Sequence, residues 1–330
     1  MVRVAINGFG RIGRMFYRAA FNNPEIDIIA VNDLTDNKML ADLLKYDSVH
    51  GKFEWTVDYT NKALIVNGQE LLVFEQKDPK QLPWKELNID VVIESTGFFR
   101  TAEAASAHLE AGAKKVIISA PGKGDMFTIV KGVNEHHYNG ETIISNASCT
   151  TNCLAPMVKV LDDNFGIEKG FMTTVHAFTA DQRIVDGPDH DLRRARTASV
   201  NITPTTTGAA IAVTQVLPHL KGKLDGLALR VPVSDGSITD FTCILKKDVT
   251  KEQINELFKN VSKNELKGVI EYSEDPIVST DIIGNPHSCI FDSALTNVIE
   301  GKLVKVAGWY DNEWGYSNRL VDAVLIVSKK

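Results

Sequence analysis

Three observations predict an α/β fold of two domains. Apolar strands alternate with helix-compatible stretches through the first half, a glycine triplet stands at the first strand-to-helix turn, and the second half shifts to longer alternating strands. At 330 residues the chain exceeds the usual size of one hydrophobic core, which also favours two domains. Its 44% hydrophobic and 24% charged content is that of an ordinary globular protein and argues against a disordered chain. The net charge of −6 disfavours a general nucleic-acid binder. Four cysteines are too few for a disulfide scaffold, and Cys149, Cys153, Cys243 and Cys289 lack metal-ligand spacing, so no metal is expected. No apolar run approaches the ~18 residues that span a bilayer, and the chain starts without a charged-then-apolar leader. A soluble, cytoplasmic protein with no membrane partner is the expectation.

The first strand, Val2-Arg3-Val4-Ala5-Ile6, runs into Asn7-Gly8-Phe9-Gly10-Arg11-Ile12-Gly13-Arg14 and then a helical stretch over 15–21. Gly8, Gly10 and Gly13 thus form GxGxxG in strand–turn–helix context, where a tight turn lets a pyrophosphate approach a helix N-terminus. A bare GxGxxG is weak evidence. Here a second strand, 26–32, ends at Asp33, 20 residues beyond Gly13, where a carboxylate can hydrogen-bond an adenosine ribose. Asp33 followed by Leu34 favours NAD over NADP, because a carboxylate repels a 2′-phosphate and no arginine follows to receive one. Further buried strands at 91–94, 116–119, 128–130 and 142–144, with helix-compatible segments such as 101–113, predict a Rossmann-type doubly wound, mostly parallel sheet. Ligands bind at the carboxyl ends of such strands, which selects Thr96, Gly97 and Ser119 as further cofactor contacts. The glycine-rich stretch at 121–125 lacks the GxxxxGK[ST] pattern and reads as a turn, and His136 and His137 read as surface residues.

The stretch Ser145-Asn146-Ala147-Ser148-Cys149-Thr150-Thr151-Asn152-Cys153 follows a strand and leads into helical spacing at Leu154, Met157, Val158 and Leu161. Cys149 falls in the first turn, where unpaired N–H groups and the positive helix end are expected to lower the thiol pKa. An isolated cysteine there would usually be a small buried apolar residue. His176, 27 residues on in a strand-like run, could hold a thiolate and exchange its proton if it faces Cys149. A long polar loop then carries Asp181 and the Arg193-Arg194 pair. The run 203–211 brings hydroxyls and Gly208 to a helix start, a second place suited to an anion. Arg230 lies within an apolar strand, where a guanidinium needs a partner and phosphate suits its fork. Alternation over 236–246 and 303–309, with a helix over 252–264, predicts an α+β second domain with a mixed or antiparallel-rich sheet. The expected boundaries are 1–148 for the dinucleotide-binding domain, completed by a C-terminal helix in 313–330, and 149–312 for the catalytic domain.

From the motif at 5–14, through Ala147-Ser148-Cys149-Thr150-Thr151-Asn152-Cys153, to Trp309-Tyr310-Asp311-Asn312-Glu313-Trp314-Gly315-Tyr316-Ser317, the chain resembles the phosphorylating glyceraldehyde-3-phosphate dehydrogenases of bacteria over essentially its whole length. The resemblance implies Cys149 as nucleophile and His176 as the group that activates it. It implies Thr179, Asp181 and Arg230 in a pocket for the substrate phosphate, and Ser148, Thr150, Thr207 and Gly208 in one for inorganic phosphate. Arg194 would serve both, with Arg193 the alternative one position away. NAD contacts are implied at Arg11, Ile12, Asp33, Lys77, Thr96, Ser119 and Asn312. A homotetramer is implied as well, along with D-glyceraldehyde 3-phosphate and inorganic phosphate as substrates. The rival within the same class is an erythrose-4-phosphate dehydrogenase, which would need no productive acyl phosphate.

Overall fold

Short apolar runs that end on a polar residue build the strands of the first half. In the computed structural model, which describes residues 1–330, one unit comprises Met1–Ile129, Glu135–Ala147 and Ser317–Lys330, and a second comprises Val130–Asn134 and Ser148–Tyr316. The first contains β1 (Val2–Asn7), α1 (Arg11–Ala20), β2 (Ile26–Asn32), α2 (Asn37–Lys45), β3 (Val57–Tyr59), β4 (Ala63–Val66) and β5 (Gln69–Phe74). It continues with β6 (Val91–Glu94), α3 (Ala102–Ala105), α4 (Ala107–Glu110), β7 (Lys115–Ile118), β8 (Phe127–Thr128) and β9 (Ile143–Ser145). The sheet order is β3-β4-β5-β2-β1-β6-β7-β9-β8. All pairs are parallel except β3–β4 and β4–β5. From β5 to β9 this is the doubly wound order, in which strand succession reverses at β1 and opens a crevice beyond the β1 and β6 carboxyl ends. Ala5, Ala30, Trp84, Ile89 and Val92 form one core cluster of this unit.

The expected helix over 101–113 is instead two four-residue pieces, α3 and α4. The Ser106 hydroxyl between them donates to the Glu103 carbonyl at 2.7 Å, a local bond that competes with helix continuation. The strand expected at 128–130 stops at Thr128, and Val130–Asn134 packs within the second unit. Within that segment Gly132 sits at φ +80, and a Cβ there would lie 2.7 Å from the Leu266 side chain.

The second unit contains α5 (Cys149–Phe165), β10 (Ile167–Ala177), β11 (Thr203–Thr206), α6 (Ala209–Val216), β12 (Leu224–Val231) and β13 (Ser237–Leu245). After these come α7 (Lys251–Lys263), β14 (Ile270–Ser273), β15 (Cys289–Asp292), β16 (Asn297–Ile299), β17 (Leu303–Tyr310) and α8 (Trp314–Ser328), of which Ser317–Lys330 belongs to the first unit. The sheet runs β11-β12-β10-β13-β17-β15-β14, with β16 paired to β17. It is mixed: β10–β12 and β14–β15 are parallel and the other pairs antiparallel. The β10–β12 register sets His176 directly opposite Arg230. No helix is long and apolar enough to cross a membrane.

Candidate active site

The first unit carries a cleft of about 590 Å³ lined by Asn7, Gly8, Gly10, Asp33, Lys77 and Thr96, among others. The glycine loop fits a dinucleotide on steric grounds. Gly8 sits at φ +93, and a Cβ there would lie 2.7 Å from the Thr96 nitrogen; one on Gly13 would lie 2.2 Å from the Gly8 oxygen. Gly10 is different, because nothing lies within 4 Å of its missing Cβ and no side chain caps α1 behind it. A ligand can therefore approach the start of α1 closely at this point. Asp33 accepts from Phe9 N at 2.8 Å and Thr35 N at 3.0 Å, so it also ties the glycine loop to the end of β2. The Arg11 guanidinium is bound to Asp47, which leaves only its backbone to the cleft. Gly97 is at φ +78 on the exposed turn after β6, and the Ser119 N–H donates to Glu94 O at the end of β7.

In the second unit the chain enters α5 with Ser148 as N-cap, its hydroxyl accepting from Thr151 N at 3.1 Å. Ala147 precedes it at φ +55, a left-handed conformation that turns the chain into the helix. Cys149 then points at β10, and its Sγ lies 3.4 Å from His176 Nε2. His176 is 4% exposed and held on its far side, where Nδ1 is 2.7 Å from Ala177 O and 2.7 Å from an Arg230 guanidinium nitrogen. The two contacts select opposite tautomers. With Nδ1–H given to Ala177 O, the Nε2 lone pair faces the sulfur and can take its proton. With Nδ1 accepting from Arg230, Nε2–H faces the sulfur and can hold a thiolate.

The lowered thiol expected at a helix start is not found. Burial pushes Cys149 up to about 11, against the Arg230 charge and a hydrogen bond from Thr150. Cys149 is only partly buried and keeps some of its surface open. Burial, and then the Arg230 charge, hold His176 down to about 3. Both shifts favour the neutral form of each partner.

Thr179 and Arg194 both bond Asp181. Burial alone would raise the Asp181 carboxyl, yet these two partners hold it below the usual carboxylate range. Of the two arginines left open by the sequence, Arg194 is the one turned to this cluster, while Arg193 is exposed. In the second expected anion site, Thr207 accepts from Ala209 N at 3.1 Å, beside Gly208 at the start of α6. The Thr150 hydroxyl lies elsewhere: it bonds the buried Tyr310 hydroxyl at 2.8 Å, so its side chain is not open to an anion. Asn312 is buried, accepting from the Ser237 hydroxyl at 2.6 Å.

Sequence reasoning missed Tyr310. Its hydroxyl also meets Thr174 Oγ1 at 2.8 Å and its ring stands edge-on to His176, 5.9 Å between centroids, so it braces both reactive groups. Asn7, Asn32 and Glu94 were missed too, although a polar residue closing a buried strand is a readable signal.

A doubly wound unit whose cleft accepts a dinucleotide, with a second unit bearing a thiol against an imidazole and a guanidinium, defines the class of dinucleotide-dependent dehydrogenases that work through a thiol. Similarity narrows the class. The family described as "Glyceraldehyde 3-phosphate dehydrogenase, NAD binding domain" matches residues 2–102, and "Glyceraldehyde 3-phosphate dehydrogenase, C-terminal domain" matches 148–312. The chain belongs to the glyceraldehyde 3-phosphate dehydrogenase family. It is 60% identical over 332 residues to the glyceraldehyde-3-phosphate dehydrogenase of Thermotoga maritima, covering 100% of both chains. It is 55% identical over 331 residues to that of Geobacillus stearothermophilus, and 55% over 332 residues to glyceraldehyde-3-phosphate dehydrogenase 2 of Streptomyces avermitilis, in each case covering 100% of this chain and 99% of the relative. These relatives carry the triose-phosphate name and not that of the erythrose-4-phosphate rival.

Proposed function

We propose that this protein oxidises D-glyceraldehyde 3-phosphate with NAD and inorganic phosphate to 1,3-bisphosphoglycerate, through a covalent adduct on Cys149. The observation that carries this reading is the 3.4 Å approach of Cys149 Sγ to His176 Nε2, with Arg230 on the far side of the ring. The sulfur attacks the aldehyde carbon while its proton passes to Nε2, and the carbonyl electrons move onto oxygen. The Cys149 N–H at the start of α5 is placed to stabilise that oxyanion, which His176 then protonates to a thiohemiacetal. NAD, when bound, supplies the acceptor for the hydride that leaves this carbon. Nε2 takes the hydroxyl proton back as the thioester forms. A phosphate oxygen then attacks the acyl carbon, the C–S bond breaks, and the sulfur recovers its proton from His176.

Arg194, Arg230 and Thr179 are the groups assigned to the substrate phosphate. Asp181, a carboxylate already bound by Arg194 and Thr179, orients these two instead of touching an anion. Ser148, Thr207 and Gly208 are assigned to inorganic phosphate, with Thr150 contributing backbone only. Gly8, Gly10, Gly13, Arg11, Ile12, Asp33, Lys77, Thr96, Gly97, Ser119 and Asn312 are assigned to NAD. A cytoplasmic homotetramer is part of this reading: Ile184, Val185, Leu192, Val200 and Ile202 are all more than two-thirds exposed on one loop, an apolar surface that neighbouring copies would cover.

The test is NADH formation from glyceraldehyde 3-phosphate with and without inorganic phosphate, and from erythrose 4-phosphate in parallel. Turnover is expected to require phosphate and to favour the triose. Equal rates without phosphate, or preference for the tetrose, would discard this reading.

A further inference from the structure

We propose that Glu94 is a positioning residue that sets the hydrogen-bond polarity of both walls of the dinucleotide cleft, and that His108 and Trp84 fix its carboxylate from behind. The inference rests on reading that cleft as the NAD site. Glu94 closes β6, is 2% exposed, and receives four donors. Oε1 accepts the N–H and the hydroxyl of Thr96, the former at 2.8 Å. Oε2 accepts Asn7 Nδ2 at 2.6 Å and His108 Nε2 at 3.0 Å.

Trp84 settles the His108 tautomer. An indole N–H can only donate, and it reaches His108 Nδ1 at 3.1 Å, so Nδ1 must accept and the ring proton sits on Nε2, directed at Glu94. His108 is 0% exposed, with Trp84 stacked near it and Phe99 edge-on. The pair is thus a carboxylate held by an imidazole N–H.

An acceptor-only carboxylate forces each amide after it. The Asn7 NH2 must face Glu94, so Asn7 Oδ1 faces outward and accepts from Asn32 Nδ2 at 2.7 Å. Asn32 is thereby oriented as well: its Nδ2 also donates to Gln76 O at 2.9 Å and its Oδ1 accepts from Gln76 N at 2.8 Å. One buried oxygen pair therefore anchors Thr96 on one wall and, through Asn7 and Asn32, the Gln76-Lys77 segment on the other. A glutamine at 94 would turn an NH2 into this ring of donors and reverse the relay, since a buried polar group facing its own kind loses its bond and keeps its desolvation cost.

The test is NAD dissociation constants measured by calorimetry on the full chain for Glu94→Gln, His108→Leu and His108→Gln. Iodoacetamide alkylation of Cys149 in the ligand-free variants reports whether the rest of the protein is intact. Glu94→Gln is expected to weaken NAD by about tenfold or more. His108→Leu is expected to weaken it several-fold, and His108→Gln, whose amide offers an acceptor to Trp84 and a donor to Glu94, to return within about threefold of the unmodified protein. Unchanged NAD affinity in folded Glu94→Gln, or equal loss in both His108 variants, overturns the proposal. Should Glu94→Gln fail to fold, the His108 pair decides alone. Failure of the unmodified protein to bind NAD would instead refute the function on which the inference rests.

Discussion

In the first unit the buried polar groups around the cleft answer one another: Asn7, Asn32, Glu94 and His108 form a chain in which each donor meets an acceptor. In the second unit the central groups are held away from their ordinary ionisation, with a thiol pushed up, an imidazole pushed down and a guanidinium against the ring. A site that must bind one shape repeatedly is served by matched hydrogen bonds that do not change during the reaction. A site that must pass a proton is served by two neutral partners poised to exchange it. Changes to the second site should therefore appear in rate, and changes to the first in affinity.

The largest separation is expected at the sulfur. Cys149→Ser should lose at least ~10³-fold in turnover, a serine hydroxyl being far harder to deprotonate here, while NAD affinity measured by calorimetry stays within about twofold. His176→Asn should lose ~10²–10⁴-fold in kcat, the usual worth of a positioned acid–base group. Turnover like that of the unmodified protein from either variant would remove that residue from the chemistry.

The second expectation concerns pH. With the Cys149 thiol at about 11, its deprotonated fraction in the ligand-free protein grows as pH rises toward that value. Alkylation by iodoacetamide should accordingly quicken about tenfold from pH 7 to 8, and again from 8 to 9. His176, held at about 3, stays neutral throughout that range. A rate already level at pH 7 would mean that the proton resides on the imidazole before substrate binds.

The smallest effect is expected at Asp33. Asp33→Gly should lower the ratio of NAD to NADP affinity by roughly three- to tenfold, since one charged hydrogen bond and one repulsion are lost. Because the Asp33 side chain also accepts from Phe9 N, some loss of affinity for both dinucleotides should accompany it. A ratio that does not move would sever Asp33 from the ribose.

Much of the first unit is legible in the sequence because its signals are local. Gly8, Gly10, Gly13 and Asp33 sit at fixed offsets along one strand–turn–helix–strand passage, and backbone sterics dictate Gly8 and Gly13. The thiol site is legible only in its parts. Cys149 at a helix start and Arg230 inside a strand can each be noticed, but their meeting depends on which strands pair, and that is decided by packing far from either residue. The direction of the Cys149 shift is not legible for the same reason, because burial, a tertiary quantity, outweighs the Arg230 charge and the Thr150 hydrogen bonds. That the Thr150 hydroxyl bonds Tyr310, 160 positions later, is likewise a tertiary fact that no local pattern carries. The segment 101–113 looked like one helix because periodicity does not register a serine that bonds backward.

The alignment of His176 with Arg230 is a property of two parallel strands, and it frees the chain between them. Substitutions at the exposed positions of the loop between them that carry no site residue leave the imidazole against the guanidinium, as long as the ladder stays in step. A slip of one position would set Leu229 or Val231 across from His176 and turn Arg230 to the opposite face. The ladder thus fixes the imidazole and the guanidinium in one register, and the sheet itself acts as the memory of that half of the site.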